Sequence, residues 1–425
     1  MRHIKISSLS KDETLAFKAL GIILIVFHNY FRWVEPITGE NEFYFSRGNI
    51  TSSIDVLSSN LLELINVFFN YLGHYGVQVF IFVSAYGLTK AYQNNSFSYR
   101  GFVGKRFAKL YPTMLIAAFA MVIFNVIAHG NLPTKGNLVE IGVQLSLLST
   151  FLPNKALVAV GPWWFYSFIF QFYLLFPLLL KLYKKYRDIA LILIAIAGYV
   201  IVIFLNPVLL NYKINLMQTV FGHLPEFCLG IWFVNRNEYR INVWFYISIW
   251  IIFLLGSYYR EFWYFSHLTV IIVLFPILQG LVKNLSRFSL IHKFLSFIGI
   301  VSVYIFATHG YLRWDCVNLA NSLNHPIAEF LIGIMFFLFS MGFSWMLLSA
   351  DGQIRKWVNN TSIKVNRTWR IIIVIGVLGG LAVSVKACQS INWSRSKKKE
   401  QTSQNLNSRY ITSIINLQKE GDCAV

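Results

Sequence analysis

This 425-residue sequence predicts an all-α fold, a polytopic transmembrane helix bundle of ten core spans plus an eleventh. Three observations carry that expectation. Charged residues make up 13% of the chain, against roughly 25% in ordinary soluble domains. Hydrophobic residues make up 56%, gathered in runs close to the ~20 residues that cross a bilayer as a helix. Lys and Arg outnumber Asp and Glu by 37 to 18, and they concentrate in alternate polar segments.

The elements follow in chain order. Residues 1–13 are polar, and the apolar run after them lacks a small-residue cleavage site, so 14–32 reads as a retained first span. Further spans are expected at 63–89, 110–129, 162–182, 189–206, 217–235, 242–257, 263–282, 298–314 and 327–348. The eleventh is expected at 371–388. Segment 139–152 is apolar but short, which favours a re-entrant or interfacial helix over a span. With the N-terminus in the cytoplasm, about 22 Lys and Arg up to Arg370 fall in inner segments and about 7 in outer ones. That bias is the positive-inside pattern. Because the charge is spread over every inner segment and forms no single stripe, nucleic acid is not an expected partner. The lipid bilayer is.

The expected organisation is a transmembrane domain over 1–349, a basic cytoplasmic linker at 350–370, the additional span at 371–388 and a polar tail at 389–425. The tail lacks apolar periodicity and reads as disordered. Strict alternation puts it outside, whereas Arg395 and Lys397–Lys399 favour the inside. Cys228, Cys316, Cys388 and Cys423 are scattered, without metal-binding or disulfide spacing, so no metal is expected. No internal repeat stands out, which weakens an inverted-repeat transporter reading.

Two ionisable groups, Lys18 and His28, interrupt the first apolar run. Such groups are costly in a membrane and usually face a polar cavity or a partner. A neutral imidazole can take a proton from a hydroxyl or attack as a nucleophile. It can equally be an interfacial anchor beside Asn29 and Tyr30. Gly73 to Leu88 carries Gly76, Ser84 and Gly87; small residues there permit close helix packing, and Ser84 is a candidate cavity residue. Lys105, Arg106 and Lys109 precede Tyr111-Pro112. They suit phosphate groups, or simply the topology. Gly161-Pro162-Trp163-Trp164-Phe165 runs into Gln171-Phe172-Tyr173-Leu174-Leu175-Phe176-Pro177, where Trp164 can anchor the interface or stack on a sugar ring. Glu226 lies close to His223, as a lining pair or a cap. Gly299 to His309 carries Ser302, Tyr304 and His309, and His309 can border a cavity with His28 or bond a backbone carbonyl.

In this order the segments resemble the acyltransferase-3 family of integral membrane acyltransferases over roughly 14–349. The resemblance implies an O-acetyltransferase-like enzyme that uses acetyl-CoA, or another acyl-CoA, as cytoplasmic donor. The acceptor it implies is a hydroxyl of a cell-surface carbohydrate or lipid-linked glycan. It implies His28 as the catalytic residue, either general base or transient acyl carrier. Lys18, Ser84, Lys105, Arg106, Trp164, Gln171, Tyr304 and His309 are the implied substrate-binding residues. By analogy, the setting is the bacterial inner membrane. Two departures stand out. Phe17 occupies the family's basic position ten residues before the histidine, with Lys18 one residue later. Ile169 stands where many relatives carry Glu. The family's appended hydrolase-like domain is not expected here. A glycan or lipid flippase, or an inactive acyltransferase-like scaffold, are the alternatives; both predict no acyl-CoA turnover.

Overall fold

The computed structural model describes residues 3–360. The expected span at 371–388 and the tail at 389–425 lie outside the described residues, as does the end of the expected linker.

The chain opens with strand β1 (His3–Ser7), followed by helix α1 (Lys11–Phe31). Ser10 Oγ accepts from the Glu13 N–H at 3.1 Å, while Glu13 Oε2 accepts from the Ser10 N–H at 2.8 Å. This reciprocal box satisfies two donors that a helix start leaves unpaired. Helices α2 (Arg47–Ser59), α3 (Leu64–Leu72) and α4 (Gly76–Tyr92) come next. Then α5 (Tyr99–His129) begins at a Ser98 cap and ends at Gly130, whose φ of +67° only glycine adopts readily.

Helix α6 (Lys135–Leu145) covers part of the short apolar segment 139–152. Eleven residues are too few to cross a bilayer. Helix α7 (Trp164–Asn211) breaks at Arg187, whose φ of +54° and ψ of −141° are non-helical, so it is two helices end to end. The break falls between the two spans expected at 162–182 and 189–206. Helix α8 (Leu224–Phe233) follows two short 3₁₀ turns and has Pro225 in its first turn, where no backbone donor is lost. Strand β2 (Glu238–Asn242), α9 (Val243–Tyr258), α10 (Arg260–Trp263) and α11 (Ser266–Leu285) lead to α12 (Ser289–Leu312), α13 (Trp314–Leu323) and α14 (Pro326–Asn360).

Among the described residues, seven helical segments are long and apolar enough to cross a membrane: Lys11–Phe31, Leu61–Tyr92, Tyr99–His129, Gly161–Asn211, Ser266–Leu285, Ser289–Leu312 and Pro326–Lys356. Val220–Phe233 and Val243–Tyr258 are apolar but shorter. Outward-facing side chains fit lipid: Ile127 is 80% exposed and Phe204 74%. In water such a surface would drive aggregation.

The structure adds detail to three expectations. The fold is not purely α, because β1 and β2 form an antiparallel ribbon in the register His3↔Asn242 to Ser7↔Glu238. Both strands alternate in character, and Ile6 and Ile241 are buried beneath them. The helix that carries the span expected at 110–129 begins earlier, at Tyr99. Lys105 and Arg106 already lie inside α5. The expected linker begins as helix, since α14 runs on to Asn360.

Helix α1 sits at the centre, packed against α12, α4 and α3. Two glycines make that approach possible. A Cβ on Gly299 of α12 would meet the Leu15 carbonyl, and a Cβ on Gly76 of α4 would meet the Gly21 carbonyl. Phe17 fills a core position 1% exposed, its ring centroid 5.3 Å from that of Phe275. A basic side chain there would displace this packing.

Candidate active site

His28 lies in the last turn of α1 and is 2% exposed. Its Nδ1 is 2.8 Å from the Asn70 carbonyl oxygen. A carbonyl can only accept, so Nδ1 carries the proton in the neutral ring and Nε2 presents a lone pair. That Nε2 is buried and has no partner among the described residues. The Asn70 side chain fixes the same region, its amide donating to the Ile37 carbonyl and, at 3.4 Å, to that of Phe31. The His74 ring stands edge-on to His28 at 5.3 Å between centroids.

At the same end of α1 is a cavity of about 490 Å³. Ile25, Asn29 and Arg32 of the α1 end line it, together with Asn125, Glu42 and Arg313. His28 itself is not among the lining residues. Aromatic residues Trp33, Phe43, Trp164, Phe306, Tyr311 and Trp314 form much of the remainder. The two guanidiniums share Trp33, with Arg32 5.3 Å and Arg313 5.5 Å from its ring centroid, and Arg313 is 4.5 Å from Trp314. Arg313 Nη1 donates to Asn29 Oδ1 at 3.4 Å, and the Nε of each arginine lacks a partner among the described residues. Burial, and then Arg32, push the Arg313 guanidinium down to about 9, which still leaves it charged near neutrality. A mixed cavity of this kind, with stacking surfaces, charged donors and a buried base alongside, suits a polyhydroxylated ligand.

Comparison with known families decides the class. The model of the family described as an acyltransferase domain matches residues 16–349. The chain belongs to the acyltransferase-3 family. No curated protein and no solved structure matches it. It is thus an acyltransferase by family, with apolar helices suited to a bilayer.

Acyltransferase-3 membership gives meaning to where the remaining expected residues fall. Trp164 lines the cavity, edge-on to Phe43 at 5.1 Å. His309 is fully buried one helical step from the lining residue Gly310; its Nδ1 donates to the Ile305 carbonyl at 3.0 Å and its Nε2 has no partner among the described residues. The carbonyl-bonded role expected for His309 is thus present, while His309 itself is not among the residues that line the cavity. Lys18 is half-buried about 15 Å from His28 along the helix, and Lys109 is close enough for its charge to act on it. Lys105 is exposed. Arg106 donates to the Tyr92 hydroxyl at 3.0 Å and lies over the Tyr92 and Phe102 rings.

The other candidates lie away from the cavity wall. Gln171 donates to Thr150 Oγ1 at 2.6 Å and accepts from the Val220 N–H at 3.1 Å, so its amide ties loops to α7. Ser84 is half-buried on α4, and Tyr304 is buried on α12 with its hydroxyl unpartnered among the described residues. Gly76 packs as expected, while Gly87 faces open space. A second cavity of about 380 Å³, lined by residues such as Phe82, Leu229, Trp232 and Phe275, is mostly apolar, with Asp188, Cys228 and Tyr239 also in its wall.

Sequence reasoning missed Arg32, Arg313, Glu42, His74 and His267. Arg32 was the easiest to find, since it stands four residues after His28 and shares its helical face. His267 lies within an expected apolar span, where any ionisable group is a flag.

Glu40, outside the spans, yields a pH prediction. Burial pushes its carboxyl from an ordinary 4.5 up to about 7, against the opposing pull of the Asn49 amide, 2.6 Å away, and Arg32. The folded state therefore holds the Glu40 proton more tightly than the unfolded chain between those values. Stability falls as pH rises through that window. Glu40→Gln should flatten the decline in Tm between pH 5 and pH 8, measured in detergent beside the wild type.

Proposed function

We propose that this protein transfers an acyl group, acetyl in the simplest case, from acyl-CoA to a hydroxyl of a cell-surface or lipid-linked carbohydrate. The observation that carries the reading is His28, whose Asn70-fixed tautomer leaves a buried, unpartnered Nε2 at the same helix end as Ile25, Asn29 and Arg32, which line an aromatic and arginine-rich cavity. In the direct course, Nε2 removes the hydroxyl proton as the oxygen attacks the thioester carbonyl. An ester C–O bond forms, the C–S bond breaks and the proton passes to the leaving thiolate. In the covalent course, Nε2 itself attacks the thioester carbonyl, the C–S bond breaks and the thiolate leaves; the acceptor oxygen then attacks the acyl-imidazole, the C–N bond breaks and the hydroxyl proton passes to the thiolate. Both need the same nitrogen.

Lys18, Lys105 and Lys109 gather toward the opposite end of the helices and suit the phosphates of coenzyme A. On α5, Lys109 and the cavity residue Asn125 are about 24 Å apart along the axis. The pantetheine arm would bridge that depth between helices. The basic-residue bias favours a cytoplasmic donor end, and the setting we propose is a bacterial inner membrane.

Membranes containing the protein, given radiolabelled acetyl-CoA and native glycan, should show label on carbohydrate that membranes lacking it do not. Folded protein that moves no label, with native acceptors present, would favour a flippase or an inactive scaffold. Within the acyl-transfer reading, Arg313→Gln should raise the acceptor KM by about tenfold or more, because hydrogen bonds from a charged donor are among the stronger ones. Steady-state kinetics on the solubilised variant measures this.

A further inference from the structure

Away from His28, three buried side chains from separate segments converge. His223 closes the 3₁₀ turn Val220–His223, Glu226 stands in the first turn of α8 and His267 opens α11. Glu226 Oε1 lies 3.2 Å from His223 Nδ1 and 3.7 Å from His267 Nδ1. One donor atom of each residue falls within 4.8 Å of the other two.

Hydrogen bonding leaves this cluster incomplete. The Met217 carbonyl only accepts, so His223 Nε2, 3.0 Å away, carries a proton. In a neutral His223, Nδ1 is then a lone pair aimed at a carboxylate oxygen. Two lone pairs repel unless a positive species lies between them. Moreover, Oε2 of Glu226 is buried without a hydrogen-bond partner among the described residues, and neither ring nitrogen of His267 makes a well-formed hydrogen bond there, although the Gly222 and Glu42 backbones approach the ring. Such groups are rarely left bare in a folded interior.

We propose that His223, Glu226 and His267 bind one divalent transition-metal ion, with zinc as the probe. Two imidazoles and a carboxylate are a donor set that zinc and its first-row neighbours take. Around a tetrahedral ion with bonds of about 2.0–2.1 Å, ligand atoms stand about 3.3–3.4 Å apart. The two carboxylate–imidazole distances of 3.2 and 3.7 Å bracket that value, and the two imidazole nitrogens lie within 4.8 Å of each other. A ligating histidine typically donates its other N–H to a carbonyl, as His223 does to Met217. Three protein donors leave a fourth position for an oxygen ligand. The site also adjoins the cavity wall, since Trp164 lines the cavity and its ring centroid is 6.0 Å from that of His223. The expectation of no metal came from cysteine spacing, which is blind to ligands drawn from distant segments. The metal site is independent of the acyl-transfer reading.

The competing account is a proton. A charged His223 could pair with Glu226 while His267 stays bare. Metal analysis of the full chain purified in detergent separates the two. Wild type should carry about one zinc per chain. Chelation should lower its Tm, zinc should restore it, and cobalt(II) should give the visible bands of a four-coordinate site. Glu226→Gln and His267→Ala should hold no zinc and show a Tm indifferent to chelator. Should those variants fail to fold, the wild-type strip-and-reload series decides by itself. Wild type without stoichiometric metal, and with a Tm that neither chelator nor zinc moves, overturns the proposal in favour of the proton-sharing pair.

Discussion

His28→Ala should reduce acyl transfer by about 10² to 10⁴-fold, the range typical for losing a positioned acid–base group. The expectation rests on one geometric fact. The Asn70 carbonyl holds the Nδ1 proton, so the ring has one free basic nitrogen and a single orientation. Alanine removes that nitrogen while leaving Arg32 and Arg313 to hold the acceptor, so kcat should fall far more than KM rises. Because His28 lies in the core, the assay must be paired with thermal unfolding of the same preparation. A folded variant with wild-type turnover removes His28 from the chemistry. Rapid quenching of the wild type during turnover then divides the two courses. Label retained on the protein favours the acyl-imidazole, and label found only on carbohydrate favours direct transfer.

The bundle was legible where lipid dictates the sequence. Long apolar runs marked the seven long segments, and the break at Arg187 falls in the basic stretch Lys181 to Arg187 that separates two expected spans. The start of α5 was harder. Gly101, Gly104 and three basic residues before Tyr111-Pro112 look like a loop, and only Ser98, whose hydroxyl accepts from the Gly101 N–H at 3.1 Å, signals the earlier helix start. The ribbon of β1 and β2 was hidden for another reason. Five-residue strands gain stability only once paired, and the partner lies more than two hundred residues away.

The candidate site divides in the same manner. His28 was legible because an ionisable residue in an apolar helix needs an explanation. Arg32 and Arg313 sit just past helix ends and read as ordinary interfacial charges until the fold brings both to Trp33. His223 and Glu226 were a visible pair, but His267 joins them only through the packing of α8 against α11. The departure at Phe17 also acquires a physical reason. Its ring fills the core against Phe275, and the basic side chain nearest that depth on α1 is the half-buried Lys18.

Gly73→Ala should impair activity almost as severely as a direct change at the site, without touching a reacting atom. Gly73 follows α3 and faces α1. A Cβ there would lie 2.8 Å from both the His28 Cβ and the Leu24 carbonyl oxygen. Neither neighbour is the loose end of a flexible side chain, so the backbones must part. Overpacking of this kind typically costs about 1–3 kcal/mol of stability. The same displacement strains the His28–Asn70 bond, because Asn70 and Gly73 belong to one continuous turn. A misplacement of about 1 Å can cost about 10²-fold in rate. Gly87→Ala is the matched control on the neighbouring helix. Nothing lies within 4 Å of its added Cβ, so it should keep wild-type Tm and turnover. If Gly73→Ala matched that control in both measurements, α1 would be free to slide against the α3–α4 turn. The rigid placement of His28, on which the catalytic reading depends, would then fail with it.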